Sequence, residues 1–128
     1  MRILVVDDNE GYLQLMGDLL GGQGYEVLLA GDGKQARELL EGEKVDVIIS
    51  DVFMPTLDGI RFHSYVREFL DTADVPFIFV SGYDDEYTRG LVQDAGRDFF
   101  FSKTTPIEQI IALIEELRTA QNSKTLAS

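Results

Sequence analysis

Short apolar runs recur five times along the chain, separated by longer stretches with a different hydrophobic spacing. The runs lie at residues 3–6, 27–30, 45–49, 77–80 and 99–101 and are rich in branched and aromatic side chains. Several of them are apolar without alternation, which is typical of a parallel strand covered on both faces. The pattern therefore predicts five strands of a central parallel sheet.

The stretches between and after the runs place apolar residues at the spacing of amphipathic helices. They lie at residues 12–20, 36–40, 60–70, 84–95 and 107–118, and the 84–95 stretch has the weakest pattern. Alternation of strand and helix with short connections favours right-handed crossovers and helices on both faces of the sheet. The sequence predicts a doubly wound α/β domain with a five-stranded parallel sheet and five helices.

Length and composition indicate one domain. A chain of 128 residues with 45% hydrophobic content can bury one substantial core but not two. The absence of cysteine excludes disulfides and thiolate metal sites and favours a cytoplasmic location. The first apolar run is too short for a signal peptide or a membrane span. We expect residues 1–119 to form the domain and the polar, unpatterned residues 120–128 to form a tail or the start of a linker.

The charge balance narrows the range of partners. The chain carries 23 acidic and 11 basic residues, a formal net charge of -12, which repels phosphate backbones and anionic lipid. Direct binding to nucleic acid or to a membrane is therefore not expected. Most of the carboxylates are predicted to lie on a solvated surface. Those at strand ends need a different explanation.

Polar residues stand at the predicted carboxyl ends of four strands, where open parallel sheets bind their ligands. They are Asp7 and Asp8 after the first run, Asp51 after the third, Ser81 after the fourth and Lys103 after the fifth. Three carboxylates in one crevice repel each other, and a hard divalent cation with oxygen ligands relieves that repulsion. The sequence therefore predicts a Mg²⁺ site, with Mn²⁺ as an alternative ion.

The same residues indicate phosphoryl chemistry, since Mg²⁺ readily bridges carboxylates to phosphate oxygens. Asp51 is the predicted nucleophile, because it stands alone at its strand end and is followed by Val-Phe-Met-Pro. Lys103 would pair with a carboxylate at rest and with a phosphoryl oxygen after transfer, and Ser81 adds a hydroxyl donor. Taken singly, each residue is more often a turn former, a helix cap or a solvated side chain. Their combination favours the chemical interpretation.

The ordered set of motifs resembles the receiver domain of two-component response regulators of the chemotaxis-regulator type, from Arg2 to about Arg118. The motifs are Asp7-Asp8, Asp51-Val-Phe-Met-Pro followed by Asp58-Gly59, Ser81-Gly82, and Lys103. The spacings of 30 residues from Asp51 to Ser81 and 22 from Ser81 to Lys103 also fit. The resemblance implies a flavodoxin-like sheet with strand order 2-1-3-4-5.

The resemblance also implies a phosphoacceptor signalling domain, not an enzyme with a separate substrate. Asp51 would take a phosphoryl group from a phosphohistidine on a sensor histidine kinase or a histidine phosphotransfer protein. The domain would catalyse its own phosphorylation and dephosphorylation. Asp8, Asp51 and the backbone carbonyl of Phe53 would bind Mg²⁺, with Asp7 helping through water.

A conformational switch is a further implication of the resemblance. Ser81 and Lys103 would contact the phosphoryl oxygens, and a movement of Ser81 would let Phe100 turn inward; the alternative for Phe100 is a plain core aromatic. The switch would alter the surface of the fourth helix, fifth strand and fifth helix, where an output domain, an effector protein or a second copy in a homodimer would bind. Phe53 and Tyr83 are bulky where the family tunes water access, so we expect slow self-dephosphorylation.

Three rival interpretations follow from the residues. A haloacid-dehalogenase-like phosphatase needs a second aspartate two residues after the nucleophile, where Phe53 stands. A degenerate receiver that serves only as an interaction module normally lacks one of the acids or the lysine, all of which are present. A flavin or nucleotide binder needs glycines after the first strand, where the chain reads Asp-Asp-Asn-Glu.

Two features lie outside the main pattern. Thr104 follows Lys103 directly where the family usually has proline, and Pro106 comes two residues late, so the loop and its partner surface are expected to differ. His63, the single histidine, falls on the third predicted helix, away from the strand ends. We expect it to be a surface or partly packed residue without a part in phosphoryl transfer.

Overall fold

The computed structural model describes residues 1–54, 57–69, 72–82, 86–90, 92 and 96–127. Five strands form one sheet: β1 (Arg2–Val6), β2 (Glu26–Ala30), β3 (Val47–Asp51), β4 (Phe77–Ser81) and β5 (Asp98–Ser102). Every neighbouring pair is parallel, and the order is β2-β1-β3-β4-β5. The predicted strands, their parallel pairing and the implied strand order are confirmed.

The helices connect the strands in sequence. They are α1 (Glu10–Gly22), α2 (Gly33–Gly42), α3 (Gly59–Glu68), α4 (Glu86–Arg89) and α5 (Ile107–Ala127). In the described residues α4 is a single turn, so the fold has four full-length helices and the expectation of five is wrong in this respect. The 84–95 stretch has the weakest apolar pattern of the five, which is typical of a short helix.

Different helices cover the two faces of the sheet. On one face, core residues of β1, β3 and β4 pack with α1 and α5: Ile3, Val5, Val47, Ile49, Ile78 and Val80 against Leu13, Met16, Leu20, Ile110 and Ile114. On the other face, the alternate strand residues pack with α2 and α3: Leu4, Val6, Ile48, Phe77 and Phe79 against Ala36, Phe62 and Val66. Because both faces are covered, the central strands are apolar without alternation.

Side-chain caps fix where three helices begin. Asn9, Asp32 and Asp58 each accept a hydrogen bond from a backbone N–H of the first turn, at 3.0, 2.8 and 2.9 Å respectively. These contacts satisfy donors that a helix start would otherwise leave unpaired. The cap at Asn9 starts α1 directly after Asp8, so the loop that carries the paired acids is very short.

The C-terminal helix is longer than its apolar pattern predicts. Residues 120–128 were expected to form a tail or linker, yet α5 continues to Ala127. Gln121 Nε2 donates to Asp46 Oδ1 at 3.0 Å, so the helix still contacts the domain beyond Arg118. The division of the chain after residue 119 stays a prediction. Among the described helices, none has the length and apolar character needed to cross a bilayer.

The prediction that His63 lies at the surface or is only partly packed is wrong. His63 is 4% exposed, and its ring lies edge-on to that of Phe77 with the centroids 4.9 Å apart. Its Nε2 atom lies 2.9 Å from Asp98 Oδ1, and Arg67 lies 2.6 Å from the same oxygen. The buried face of α3 includes this position, and the partner on β5 satisfies the polar ring there. Asp98 is the first residue of β5, so the cluster lies at the edge of the sheet opposite the strand carboxyl ends.

Candidate functional site

The carboxyl edge of the sheet brings the predicted site residues into one region. Asp7 directly follows β1, Lys103 directly follows β5, and Asp51 and Ser81 are the last residues of β3 and β4. These four strands are neighbours in the sheet. Asp51 pairs with Val80 in the parallel register, which places Ser81 one residue further along the adjacent strand. The predicted strand ends therefore share one edge.

The ammonium of Lys103 bridges two carboxylates. Its Nζ atom lies 2.8 Å from Asp7 Oδ2 and 3.2 Å from Asp51 Oδ2. The backbone N–H of Lys103 donates to the carbonyl of Ser81 at 2.8 Å, which fixes the loop after β5 against the end of β4. The Lys103 side chain is 24% exposed, so its contacts with the two carboxylates are largely shielded from water. Such shielding strengthens the attraction between the charges.

A compact group of carboxylates surrounds this cation. One oxygen each from Asp7, Asp8 and Asp51 lies within 4.8 Å of the others, with Asp7 and Asp51 buried and Asp8 exposed. Asp7 Oδ1 accepts from the backbone N–H of Asn9 at 2.9 Å. The buried Oδ2 of Asp7 has the ammonium of Lys103 as its partner, at 2.8 Å. Three carboxylates this close together fit a hard divalent cation with oxygen ligands.

The electrostatics of the group reflect its crowding. Burial raises the pKa of Asp51, and the charge of Asp7 raises it further, while Lys103 and the backbone N–H of Val52 oppose the rise. Burial opposes the charge of Lys103, but its contacts with Asp7 and Asp51 outweigh that effect and raise the pKa of the lysine. The single ammonium thus does not fully offset the burial of Asp51 and its repulsion by Asp7. A bound cation would remove the remaining repulsion.

The described residues predicted to form the switch and to tune water access lie at the ends of β3 and β4 and on β5. Ser81 is fully buried at the end of β4, and the Phe53 side chain is 45% exposed. Phe100 packs on the face covered by α2 and α3, and the guanidinium carbon of Arg89 lies 5.8 Å from the centre of its ring. Its neighbours Phe99 and Phe101 pack on the opposite face. The prediction for Tyr83 falls outside the described residues.

Sequence reasoning missed one aromatic neighbour of the site. Tyr12 was assigned only to the apolar face of the first helix, but Lys103 Nζ lies 4.8 Å from the centre of its ring. Burial raises the pKa of Tyr12 to about 12, with the nearby ammonium opposing the rise. The available signal was a tyrosine in the first helical turn after the paired acids, where the strand-end edge lies close by.

The cluster of three carboxylates with a bridging lysine at this edge agrees with the family that the motifs resemble. Residues 3–115 match the model of the response regulator receiver domain, and the chain belongs to that family. The resemblance stated from the motifs is therefore confirmed, and the chain is a receiver domain of two-component response regulators. The family match favours the receiver domain over a haloacid-dehalogenase-like phosphatase and over a flavin or nucleotide binder.

Relatives with known names agree with this assignment. The response regulator MprA of Mycolicibacterium vanbaalenii is 33% identical over 117 residues, which cover 91% of this chain and 50% of MprA. The chain thus spans about half the length of the curated relatives it matches. The structure of the chemotaxis protein CheY4 of Vibrio cholerae superposes with a TM-score of 0.83 at 27% identity, covering 91% of this chain and 97% of that one. The response regulator TrrA of Thermotoga maritima, solved in complex with Mg(2+)-BeF, gives 0.79 at 25% identity, covering 91% and 97%.

Proposed function

We propose that the chain is a phosphoacceptor signalling domain in which Asp51 receives a phosphoryl group from a phosphohistidine. The observation that carries the proposal is the bridging position of Lys103, 2.8 Å from Asp7 and 3.2 Å from Asp51, beside a third carboxylate at one strand edge. A cation already in contact with the nucleophile can stabilise the charge that develops on a phosphoryl oxygen. The donor is a sensor histidine kinase or a histidine phosphotransfer protein.

Asp7, Asp8 and Asp51 would hold Mg²⁺, with the backbone carbonyl of Phe53 as a further oxygen ligand and Mn²⁺ as an alternative ion. When bound, the ion supplies positive charge to the carboxylates and to the phosphoryl oxygens. The spacing of 4.8 Å or less between one oxygen of each carboxylate supports this ligand set. The likeness to TrrA, whose structure contains Mg(2+)-BeF, supports it further.

In the transfer step, an oxygen of the Asp51 carboxylate forms a bond to phosphorus as the phosphorus–nitrogen bond of the donor breaks. The imidazole leaves with the electron pair of that bond and regains a proton from solvent. The contact of Lys103 with Asp51 passes to a phosphoryl oxygen, and the hydroxyl of Ser81 donates to another. Hydrolysis of the acyl phosphate later restores Asp51. The domain thus catalyses its own phosphorylation and dephosphorylation.

The consequence of phosphorylation is a change of surface. Movement of Ser81 would let Phe100 turn inward and change the face made by α4, β5 and α5. The packing of Arg89 of α4 on the Phe100 ring, 5.8 Å from its centre, supports a coupling between them. An output domain, an effector protein or a second copy of the chain would bind the altered face. The net charge of -12 and the lack of cysteine support a cytoplasmic domain without nucleic-acid or membrane contacts of its own.

The test is the intact mass of the protein after incubation with acetyl phosphate, with and without Mg²⁺. Wild type should gain one phosphoryl group only with Mg²⁺, and Asp51→Asn should gain none. Asp58→Asn is the matched control, because Asp58 is a helix cap on the same loop and asparagine also caps helices. Absence of any gain in wild type would overturn the proposal and favour a degenerate receiver that acts only as an interaction module.

A further inference from the structure

We infer that Tyr12 is a positioning residue for Lys103: the face of its ring holds the ammonium at the point where it reaches both Asp7 and Asp51. The inference rests on the proposed phosphoacceptor function. It adds to the site a residue that lies outside the receiver-domain motifs. Lys103 Nζ lies 4.8 Å from the centre of the ring, within the range of a cation–π contact.

The ring is itself held in place. Tyr12 is half-buried and packs against the core shared with α1 and α5. Its backbone N–H donates to the side chain of Asn9 at 3.0 Å, and the backbone N–H of Asn9 donates to Asp7 Oδ1 at 2.9 Å. A single capping residue therefore fixes both the tyrosine and the carboxylate relative to each other. The ammonium contacts both of these groups, which the capping residue Asn9 connects.

A lysine at this site needs such a support, because its long side chain has many rotamers and its ammonium makes no planar, bidentate contacts. The contact with Asp51 also changes during the reaction, since this carboxylate becomes an acyl phosphate. Among the described contacts of Nζ, the ring face of Tyr12 and the carboxylate of Asp7 keep their charge through the transfer. Both can hold the ammonium before and after the phosphoryl group arrives.

The ordinary alternative is that Tyr12 is only an aromatic residue at the edge of the core. Two substitutions separate the alternatives. Tyr12→Phe keeps the ring face and removes the hydroxyl, whereas Tyr12→Leu keeps apolar packing and removes the ring. Tyr12→Met also lacks a ring and fills irregular space well, so it replaces the leucine variant if thermal unfolding shows that variant to be poorly folded.

The first measurement is the rate of phosphorylation by acetyl phosphate at saturating Mg²⁺. Tyr12→Phe should stay within about twofold of wild type, and Tyr12→Leu should be roughly threefold to tenfold slower, the effect of losing one partly shielded cation–π contact. In a Lys103→Met background, Tyr12→Leu should change the residual rate by less than about twofold, because the tyrosine acts through the ammonium. Equal rates for Tyr12→Leu and wild type, or equal losses in Tyr12→Phe and Tyr12→Leu, would overturn the inference.

The second measurement does not need phosphorylation. In metal-free protein, the ε-methylene protons of Lys103 should show an upfield ring-current shift in NMR spectra of wild type and Tyr12→Phe, and lose it in Tyr12→Leu. If the ε-methylene protons of Lys103 show no ring-current shift in wild type, the ammonium does not lie over the Tyr12 ring and the inference is wrong. If wild type takes up no phosphate while the shift is present, the proposed function fails and the placement of the lysine stands, so the two failures are distinguishable.

Discussion

A Cβ atom on Gly59 would lie 2.0 Å from the carbonyl oxygen of Asp51. The N–H of Gly59 donates to the carbonyl of Val52 at 2.9 Å. The first residue of α3 therefore packs directly against the backbone of Asp51, the candidate nucleophile. The loop between β3 and α3 can close in this way only because residue 59 has no side chain. The helix start thereby fixes the peptide that carries the Asp51 carboxylate.

Gly59→Ala should therefore disturb both stability and phosphoryl uptake. The methyl group meets backbone rather than a flexible side chain, so we expect a loss of about 2 kcal/mol or more in the free energy of unfolding. Gly42→Ala is the matched control, because a Cβ there meets nothing within 4 Å. Urea unfolding of both variants and their uptake of phosphate from acetyl phosphate test the prediction. A Gly59→Ala protein as stable and as active as Gly42→Ala would contradict it.

Asp51→Asn should stabilise the metal-free protein. Burial and the charge of Asp7 raise the pKa of Asp51, so the folded state binds a proton more readily than the unfolded state. Unfolding free energy then falls as the pH rises through that pKa, and ionised Asp51 lowers stability at neutral pH. Asparagine removes this cost, and we expect the unfolding temperature to rise by about 3 °C at pH 7.

Calorimetry across pH and Mg²⁺ concentration checks this prediction. The difference between Asp51→Asn and wild type should shrink as the pH falls through the folded pKa of Asp51, because the wild-type carboxyl becomes neutral. Added Mg²⁺ should raise the unfolding temperature of wild type more than that of the variant, since the ion binds the folded carboxylates. A variant less stable than wild type at neutral pH would show that ionised Asp51 stabilises the fold.

The strand ends could be predicted from sequence because four of the five apolar runs stop at a polar residue. Asp7 and Lys103 directly follow their strands, and Asp51 and Ser81 are the last residues of theirs, within one residue of the expected boundary. In a parallel sheet all such ends meet at one edge, so one-dimensional information was enough to group these side chains.

Contacts between distant elements could not be predicted in the same way. The cation–π contact of Tyr12 with Lys103 joins the first helix to the end of the last strand. Helical periodicity indicates only that Tyr12 lies on the apolar face of its helix. The burial of His63 depends on its partner Asp98, which lies on β5. Neither pairing has a local sequence signal, because each depends on how elements pack across the sheet.

Asp98→Ala should destabilise the protein strongly. Its carboxylate is 2% exposed and contacts both His63 at 2.9 Å and Arg67 at 2.6 Å. Removing it leaves the buried ring of His63 and the partly buried guanidinium of Arg67 without their shared carboxylate, which costs about 3 kcal/mol. Asp74→Ala is the control, because Asp74 pairs with Arg97 at 2.8 Å but its side chain is 93% exposed, and it should cost no more than about 1 kcal/mol. Similar urea midpoints for the two variants would contradict the buried pairing.

Phe53→Asn and Tyr83→Asn together should shorten the lifetime of the phosphorylated protein several-fold. The phenylalanine follows Asp51 by two residues, and about half of its side chain surface is covered, with 45% exposed. A bulky apolar group beside the acyl phosphate hinders the approach of the hydrolytic water, whereas asparagine can accept a hydrogen bond from it. The role of Tyr83 rests on its sequence position two residues beyond Ser81.

The measurement is the decay of the phosphorylated mass after removal of the phosphodonor. Phe69→Asn is the matched control, since Phe69 is 49% exposed and caps the far end of α3, so the same change there should leave the half-life unaltered. The half-lives of the two single variants show which position limits water access. If their effects on the decay rate multiply in the double variant, the two side chains act independently. A double variant that decays no faster than wild type would mean that water reaches the acyl phosphate by a route these two side chains do not cover.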